Sequence, residues 1–158
     1  MGDTRLSVGD MAPDVGGEIW PEGSAQLSDY RGKWVIIYFY PRDNTPGCTT
    51  ESCAFRDALP DVQAADAVVL GVSRDSVKSH GKFTEKQALN FPLISDPDEV
   101  VCQAFGVMQM KKLYGKEYMG VERSTFIIDP QGKVSHVWRK VKVKGHVDEV
   151  LETLKGLQ

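Results

Sequence analysis

Sulfur is scarce in this chain: its 158 residues include three cysteines, Cys48, Cys53 and Cys102. That is too few for the disulfide framework of a small secreted scaffold. Long apolar runs are missing too. None approaches the roughly 20 residues that cross a bilayer, and the opening "MGDTRLSVGDMAPDVG" has no apolar core of signal-peptide length. Leu6 stands where a lipidation motif beginning at Gly2 requires Ser or Thr. A cytoplasmic location is expected, with no membrane partner. Nor is there an excess of positive charge: 19 Lys and Arg face 22 Asp and Glu, for a net charge of −3. This argues against a general nucleic-acid binder, which needs clustered cations against phosphate, though not against a local basic patch. The most basic stretch, "WRKVKVKGH" (138–146), alternates Lys142 and Lys144 with Val141 and Val143 and reads as a strand with one solvated face. "GKEYMG" and "GGEIWPEG" match no Walker or dinucleotide pattern, and His80, His136 and His146 show no metal-ligand spacing. No cofactor and no metal are expected.

What is present is an alternation of buried strands and helices. "KWVIIYFY" (33–40) and "AVVLGVS" (67–73) are near-continuous β-branched and aromatic runs, as central strands covered on both faces require. From Thr49 onward Phe55, Leu59 and Val62 fall at helical offsets. The polar stretch 75–87 reads as an amphipathic helix weakened by Gly81, and "FPLIS" (91–95) as a short strand. "DPDEVVCQAFG" (96–106) carries a helix-start signature, with Asp96 as cap, Pro97 at the first position and Glu99 reaching back; Gly106 closes it. "STFIIDPQGKVSHVW" (124–138) reads as a hairpin turning at 129–132, and Val147, Val150, Leu151 and Leu154 line a final helix. The expected fold is one α/β domain over residues 1–158, a mixed sheet between helical layers.

Cys48 and Cys53 sit where the strand 33–40 gives way to a helix. "NTPGC" brings the chain round so that Cys48 falls in the first helical turn, where unpaired N–H groups and the helix dipole favour an anion. An unperturbed thiol is only about 3% ionised at neutral pH, and a pKa near 6 makes it roughly 90% thiolate. This makes Cys48 the candidate nucleophile. Once Cys48 is oxidised, Cys53 can condense with it. Five residues along an ideal helix separate the Cα atoms by roughly 8.7 Å, beyond the roughly 7 Å that a disulfide tolerates. The turns between them must therefore unwind. The same pair also fits two core side chains, and C-x4-C departs from the usual C-x-x-C exchange motif. Cys102, beside Val101, Ala104 and Phe105, reads as a small buried hydrophobe.

At these residues the chain resembles the peroxiredoxins. "PRDNTPGC" fits their P-x-x-x-T-x-x-C pattern through Pro41, Thr45 and Cys48. "YFYPRDNTPGCTTESCAFRD" (38–57) nearly reproduces the signature of the bacterioferritin comigratory protein, or peroxiredoxin Q, subgroup. The likeness extends through "GDMAPD", "LGVSRDS", "FPLISDPDEVVCQAFGV", "VERSTFIIDPQGKV" and "GHVDEVL". It implies a thioredoxin-like three-layer fold and a cysteine peroxidase acting on hydrogen peroxide and organic hydroperoxides, with a thioredoxin-like dithiol as reductant. Carried over, Cys48 is the peroxidatic thiol and Cys53 the resolving one. Thr45 hydrogen-bonds thiolate and peroxide, Pro41 shields the site, and Arg123 of "ERST" is the active-site cation. Without the resemblance, Arg123 reads as a solvated surface residue. A permanent cation beside Cys48 favours the thiolate, and its planar donors suit peroxide oxygens. Glu51 is expected only to bond locally near the helix start. The likeness lapses at Val15, Gly16 and Gly17, which stand where the family carries a Phe-x-Leu strand.

With both thiols in one chain, a monomer is the expected state. Two other classes compete with the peroxidase: a thioredoxin-like protein dithiol–disulfide oxidoreductase, and a non-catalytic binding module with structural cysteines. Insulin reduction set beside peroxide consumption separates the first from the peroxidase. A binding module consumes no peroxide and tolerates Cys48→Ser.

Overall fold

The computed structural model describes residues 5–158, so the lipidation reading at Met1 and Gly2 lies outside the described residues. Strand β3 (Trp34–Phe39) is the apolar run expected at the centre. It pairs in parallel with β4 (Ala67–Ser73), which pairs in parallel with β5 (Leu93–Ser95). On its other side β3 meets β8 (Ser124–Ile128) antiparallel, and β8 continues into β9 (Val134–Trp138) through the expected hairpin. The hairpin of β1 (Gly16–Ile19) and β2 (Ser24–Gln26) completes a seven-stranded sheet of order β2-β1-β5-β4-β3-β8-β9. The helices are α1 (Pro46–Ala64), α2 (Val77–Gln87), α3 (Val100–Ala104) and α4 (His146–Leu157).

The pleat of β3 divides the interior. Ile36 and Tyr38, with Tyr40 just beyond the strand, pack against Phe55, Leu59 and Val62 of α1, Phe83 of α2 and Val150 and Leu154 of α4. Val35, Ile37 and Phe39 face the opposite way and pack against Val101 and Cys102 of α3, with Phe105 and Phe126. This period of two places three helices on one face and α3 on the other. The three-layer arrangement expected from the sequence is the one observed.

Local chemistry explains the departures from simple patterns. Pro60 lies inside α1 and offers no N–H to the Arg56 carbonyl one turn earlier. The Asn90 side chain supplies the missing donor at 3.2 Å. In the first hairpin a Cβ on Gly16 would lie 1.9 Å from the Ala25 carbonyl oxygen, so the small residues that interrupt the family pattern let two strands approach closely. Gly81 similarly receives the Trp20 indole, which a Cβ would meet at 2.4 Å. It weakens α2 as an isolated helix but permits that contact.

Two expectations are corrected, and one element was not expected. The helix at 96–106 begins only at Val100, because Asp96–Glu99 forms a turn closed by Glu99 N–H donating to the Asp96 carbonyl at 3.0 Å, with Glu99 at φ 62°. Asp96 still caps the helix, its carboxylate accepting from the amides of Val101 and Cys102 at 3.1 and 2.8 Å. The segment after Trp138 is coil rather than strand, although Lys142 and Lys144 remain exposed between half-buried valines. A second sheet of β6 (Met108–Leu113) and β7 (Lys116–Val121) has no counterpart in the expectations. It turns at Tyr114 and Gly115, both at positive φ, and exposes Met110, Leu113, Tyr118 and Met119. A hairpin lying largely in solvent lacks the alternation that burial imposes.

Candidate active site

The site forms where β3 ends. The chain leaves the sheet after Phe39, bends at half-buried Pro41, turns through Asn44 at φ 60° and enters α1 at Thr45. Pro46 occupies the first helical position, where its missing N–H costs nothing. Cys48 is the third residue of α1 and is only 1% exposed. With Glu51, Ser52, Phe55, Leu59 and Val62 it shares the buried face of the helix.

Arg123 arrives from the other side of β3. In the antiparallel register Phe39 pairs with Ser124, so the preceding residue lies beside the end of β3 and the start of α1. The Arg123 carbonyl accepts from Val141 N–H at 3.0 Å, tying its backbone in place. One guanidinium nitrogen donates to Cys48 Sγ at 3.1 Å, and the other to Glu51 Oε1 at 2.7 Å. The surface-residue reading of Arg123 therefore fails. It is a fork bridging the candidate nucleophile and a carboxylate one helical turn further on.

Glu51 is the residue that sequence reasoning undervalued. It is 0% exposed, and its Oε2 has no hydrogen-bond partner among the described residues. Burial raises its pKa to about 7, and the Arg123 guanidinium offsets only part of that effect. On Arg123 burial pulls the other way, but Glu51 and Cys48 outweigh it and hold its pKa above the usual value. The signal available in the sequence was the three-residue spacing from Cys48 to Glu51, which places both on one helix face.

Thr45 differs from expectation. Its hydroxyl donates to the Arg42 carbonyl at 2.8 Å and forms no hydrogen bond to Cys48. A proton held by that carbonyl is not available to a thiolate, while the oxygen lone pairs remain free to accept.

Cys53 lies further along α1, partly exposed, with its thiol 3.4 Å from Gln87 Oε1 at the end of α2. Arg56 Nη1 donates to the Gln87 carbonyl at 2.6 Å and clasps the two helices beside it. Both thiols are free, and α1 is continuous between them. Cys102 is fully buried among the residues on the opposite face of the sheet from Cys48. Burial pushes its thiol well above the ordinary value, reinforced by a hydrogen bond to Asp96. Its burial is the one expected.

A thiol at a helix N-terminus, with a guanidinium aimed at its sulfur, is placed to act as a nucleophile. Known proteins resemble the chain that carries this arrangement. Residues 8–137 match the AhpC/TSA family. The chain belongs to that family, in its peroxiredoxin Bcp group. Peroxiredoxin Bcp of Bacillus subtilis is 51% identical over 152 residues, covering 96% of this chain and 97% of the relative. The Xanthomonas campestris bacterioferritin comigratory protein, solved in trapped intermediate and ligand complexes that bear on its alkyl peroxide reduction activity, is 48% identical. It superimposes with a TM-score of 0.89 over 98% of both chains. A cysteine-to-serine variant of Xylella fastidiosa peroxiredoxin Q reaches a TM-score of 0.93 at 44% identity, again over 98% of both. As a peroxiredoxin the chain is a thiol peroxidase with the thioredoxin-like architecture. No helix among its described residues is long and apolar enough to cross a membrane.

Proposed function

We propose that Cys48 is the peroxidatic thiol, that Cys53 resolves it within the same chain, and that a dithiol protein of the thioredoxin class restores both. The observation that carries this reading is the 3.1 Å contact from Arg123 Nη2 to Cys48 Sγ at the start of α1. The thiolate attacks one oxygen of a hydroperoxide; the O–O bond breaks and the departing oxygen takes a proton to leave as water or an alcohol. Cys48 becomes a sulfenic acid. Arg123 donates to the sulfur and offers donors to the oxygen on which charge develops. Thr45, its own proton held by Arg42, accepts from the O–H of the incoming peroxide. Pro41 flanks the site and limits water.

Resolution needs movement. The Cys53 thiol displaces hydroxide from the sulfenic sulfur; an S–S bond forms and water is released. An intact α1 keeps the two sulfurs apart, so the turn from Cys48 to Ser52 must unwind. Pro46 and Gly47 make that end a weak helix. Unwinding also returns the Glu51 carboxylate, with its unpartnered Oε2, to water. Thiol–disulfide exchange with the external dithiol then regenerates both cysteines.

Hydrogen peroxide and organic hydroperoxides are the substrates, the alkyl class being supported by the activity of the Xanthomonas relative. With both thiols in one chain, a cytoplasmic, monomeric enzyme of one domain satisfies the cycle. The test is turnover with a thioredoxin recycling system. Cys48→Ser is inactive under all conditions, whereas Cys53→Ser reduces one equivalent of peroxide and then stops. Equal turnover by the two variants overturns the assignment.

A further inference from the structure

The peroxidatic loop is tied to the rest of the molecule at one buried point. Asp43, five residues before Cys48, has its side chain 2% exposed, and its partner His80 on α2 has its own at 0%. The Asp43 carboxylate accepts Tyr40 Oη at 2.6 Å, Ser79 Oγ at 2.8 Å and His80 Nδ1 at 2.7 Å. The Asp43 amide donates to Asp75 Oδ2 at 2.9 Å, and the same oxygen accepts Ser73 Oγ at 2.6 Å. His80 Nε2 lies 3.0 Å from the carbonyl of Ile94 in β5. One residue of the loop is thereby joined to β4, β5 and α2.

Both ring nitrogens of His80 face acceptors. A carbonyl can only accept, so Nε2 must carry a proton. A bare carboxylate can only accept as well, so a second proton must lie between Nδ1 and Oδ2. The cluster therefore holds a buried, proton-bridged pair that cannot be loosened by halves: separating its members strands a charge or a polar group away from water. Asp43, Asp75 and His80 lie close enough together to suggest a metal site. Each of their facing atoms, however, is already engaged by the hydrogen bonds above.

We propose that Asp43 and His80 are positioning residues. They anchor the loop in its peroxide-reducing conformation and confine unwinding to the segment between Asn44 and Cys53. They thereby set how a sulfenic acid on Cys48 divides between two fates. One is condensation with Cys53, releasing water. The other is attack on a second hydroperoxide, which transfers one oxygen to give a sulfinic acid and leaves as an alcohol or water. The docked loop favours the second fate and the unwound loop the first. The inference rests on Cys53 being the resolving thiol.

The partition is read by intact-protein mass spectrometry, as the ratio of disulfide to sulfinic acid across a peroxide series. In Asp43→Asn and His80→Gln the ratio rises about tenfold, while the rate constant of the first peroxide step falls by a smaller factor, because the unwound population grows from a small share and the docked one shrinks less steeply. Ser79→Ala, which removes one peripheral donor, shifts the ratio in the same direction by about two- to threefold and serves if the other variants do not fold. Simple loss of stability lowers the amount of active enzyme but leaves the ratio untouched, since both fates start from one intermediate. An unchanged ratio in the variants that fold overturns the anchor. A wild-type protein that forms no Cys48–Cys53 disulfide condemns the reading of Cys53 instead, and the anchor falls with it.

Discussion

Cys48 and Glu51, one turn apart on α1, are bridged by the two terminal nitrogens of a single guanidinium, at 3.1 Å to the sulfur and 2.7 Å to the carboxylate. The arrangement does two things at once. It offers a fixed donor to an anionic sulfur, and it keeps a carboxyl group in an apolar interior where only one of its oxygens is satisfied. The first favours catalysis and the second opposes it staying folded. The proposed cycle, in which the site opens after each turnover, uses both.

Removing the fork isolates the first effect. Arg123→Met lowers the second-order rate constant for peroxide reduction by about 10²–10³, the usual cost of deleting a preorganised donor at a reacting centre. Arg123→Lys recovers only part, because a single ammonium cannot serve sulfur and carboxylate in the same planar geometry. Stopped-flow fluorescence with hydrogen peroxide measures both. A rate within threefold of wild type for Arg123→Met contradicts the role.

The second effect appears as a dependence of stability on pH. Burial raises the Glu51 pKa from 4.5 to about 7, so between those values the native state holds a proton that the unfolded chain has lost. The contribution to stability is full below about pH 4.5 and is lost as pH rises through about 7, by up to the order of 3 kcal/mol. Glu51→Gln removes this dependence. Urea unfolding at pH 5 and pH 8 should show wild type losing more stability than the variant over that interval. Equal losses contradict the account.

Much of this was legible in the residues, for identifiable reasons. β3 and β4 are buried on both faces, so their sequences are almost purely apolar. Cys48, Phe55, Leu59 and Val62 repeat at helical offsets because one face of α1 lies on the sheet. What could not be read depends on tertiary context. Arg123 gains its meaning only from the pairing of Phe39 with Ser124, which brings together residues far apart in the chain. Glu51 looks like any polar helix residue until the sheet covers it. His80 and Asp43, 37 residues apart, carry no shared motif and meet only when α2 packs beside the loop. The hairpin β6–β7 lies outside the main sheet, so no buried face imprinted an alternating pattern on it.

The Pro60–Asn90 relationship gives a test of the fold independent of catalysis. Asn90→Ala leaves the Arg56 carbonyl without its side-chain donor and costs about 0.5–1 kcal/mol. In a Pro60→Ala background the helix supplies that donor itself, and the same substitution costs less. A double-mutant cycle by urea denaturation reads the coupling directly. Additive effects contradict the proposed compensation.

Cys102 serves as the control among the thiols. Cys102→Ser exchanges a polarisable thiol for a smaller hydroxyl in the cluster that holds Phe39 and Phe105, where Asp96 can still accept from it, and lowers stability by about 1 kcal/mol. Steady-state turnover with the recycling system stays within twofold of wild type, because the sheet separates this residue from Cys48. Loss of recycling, with single-turnover reactivity retained, would instead make Cys102 the resolving partner.

The most direct measurement treats wild type, Cys48→Ser and Cys53→Ser with one equivalent of hydrogen peroxide and weighs the intact products. Wild type should lose two hydrogens through a disulfide that joins the peptides of residues 48 and 53. Cys53→Ser should gain a single oxygen on Cys48, and Cys48→Ser should keep its mass. A disulfide that excludes position 53, or oxidation of the protein lacking Cys48, contradicts the account.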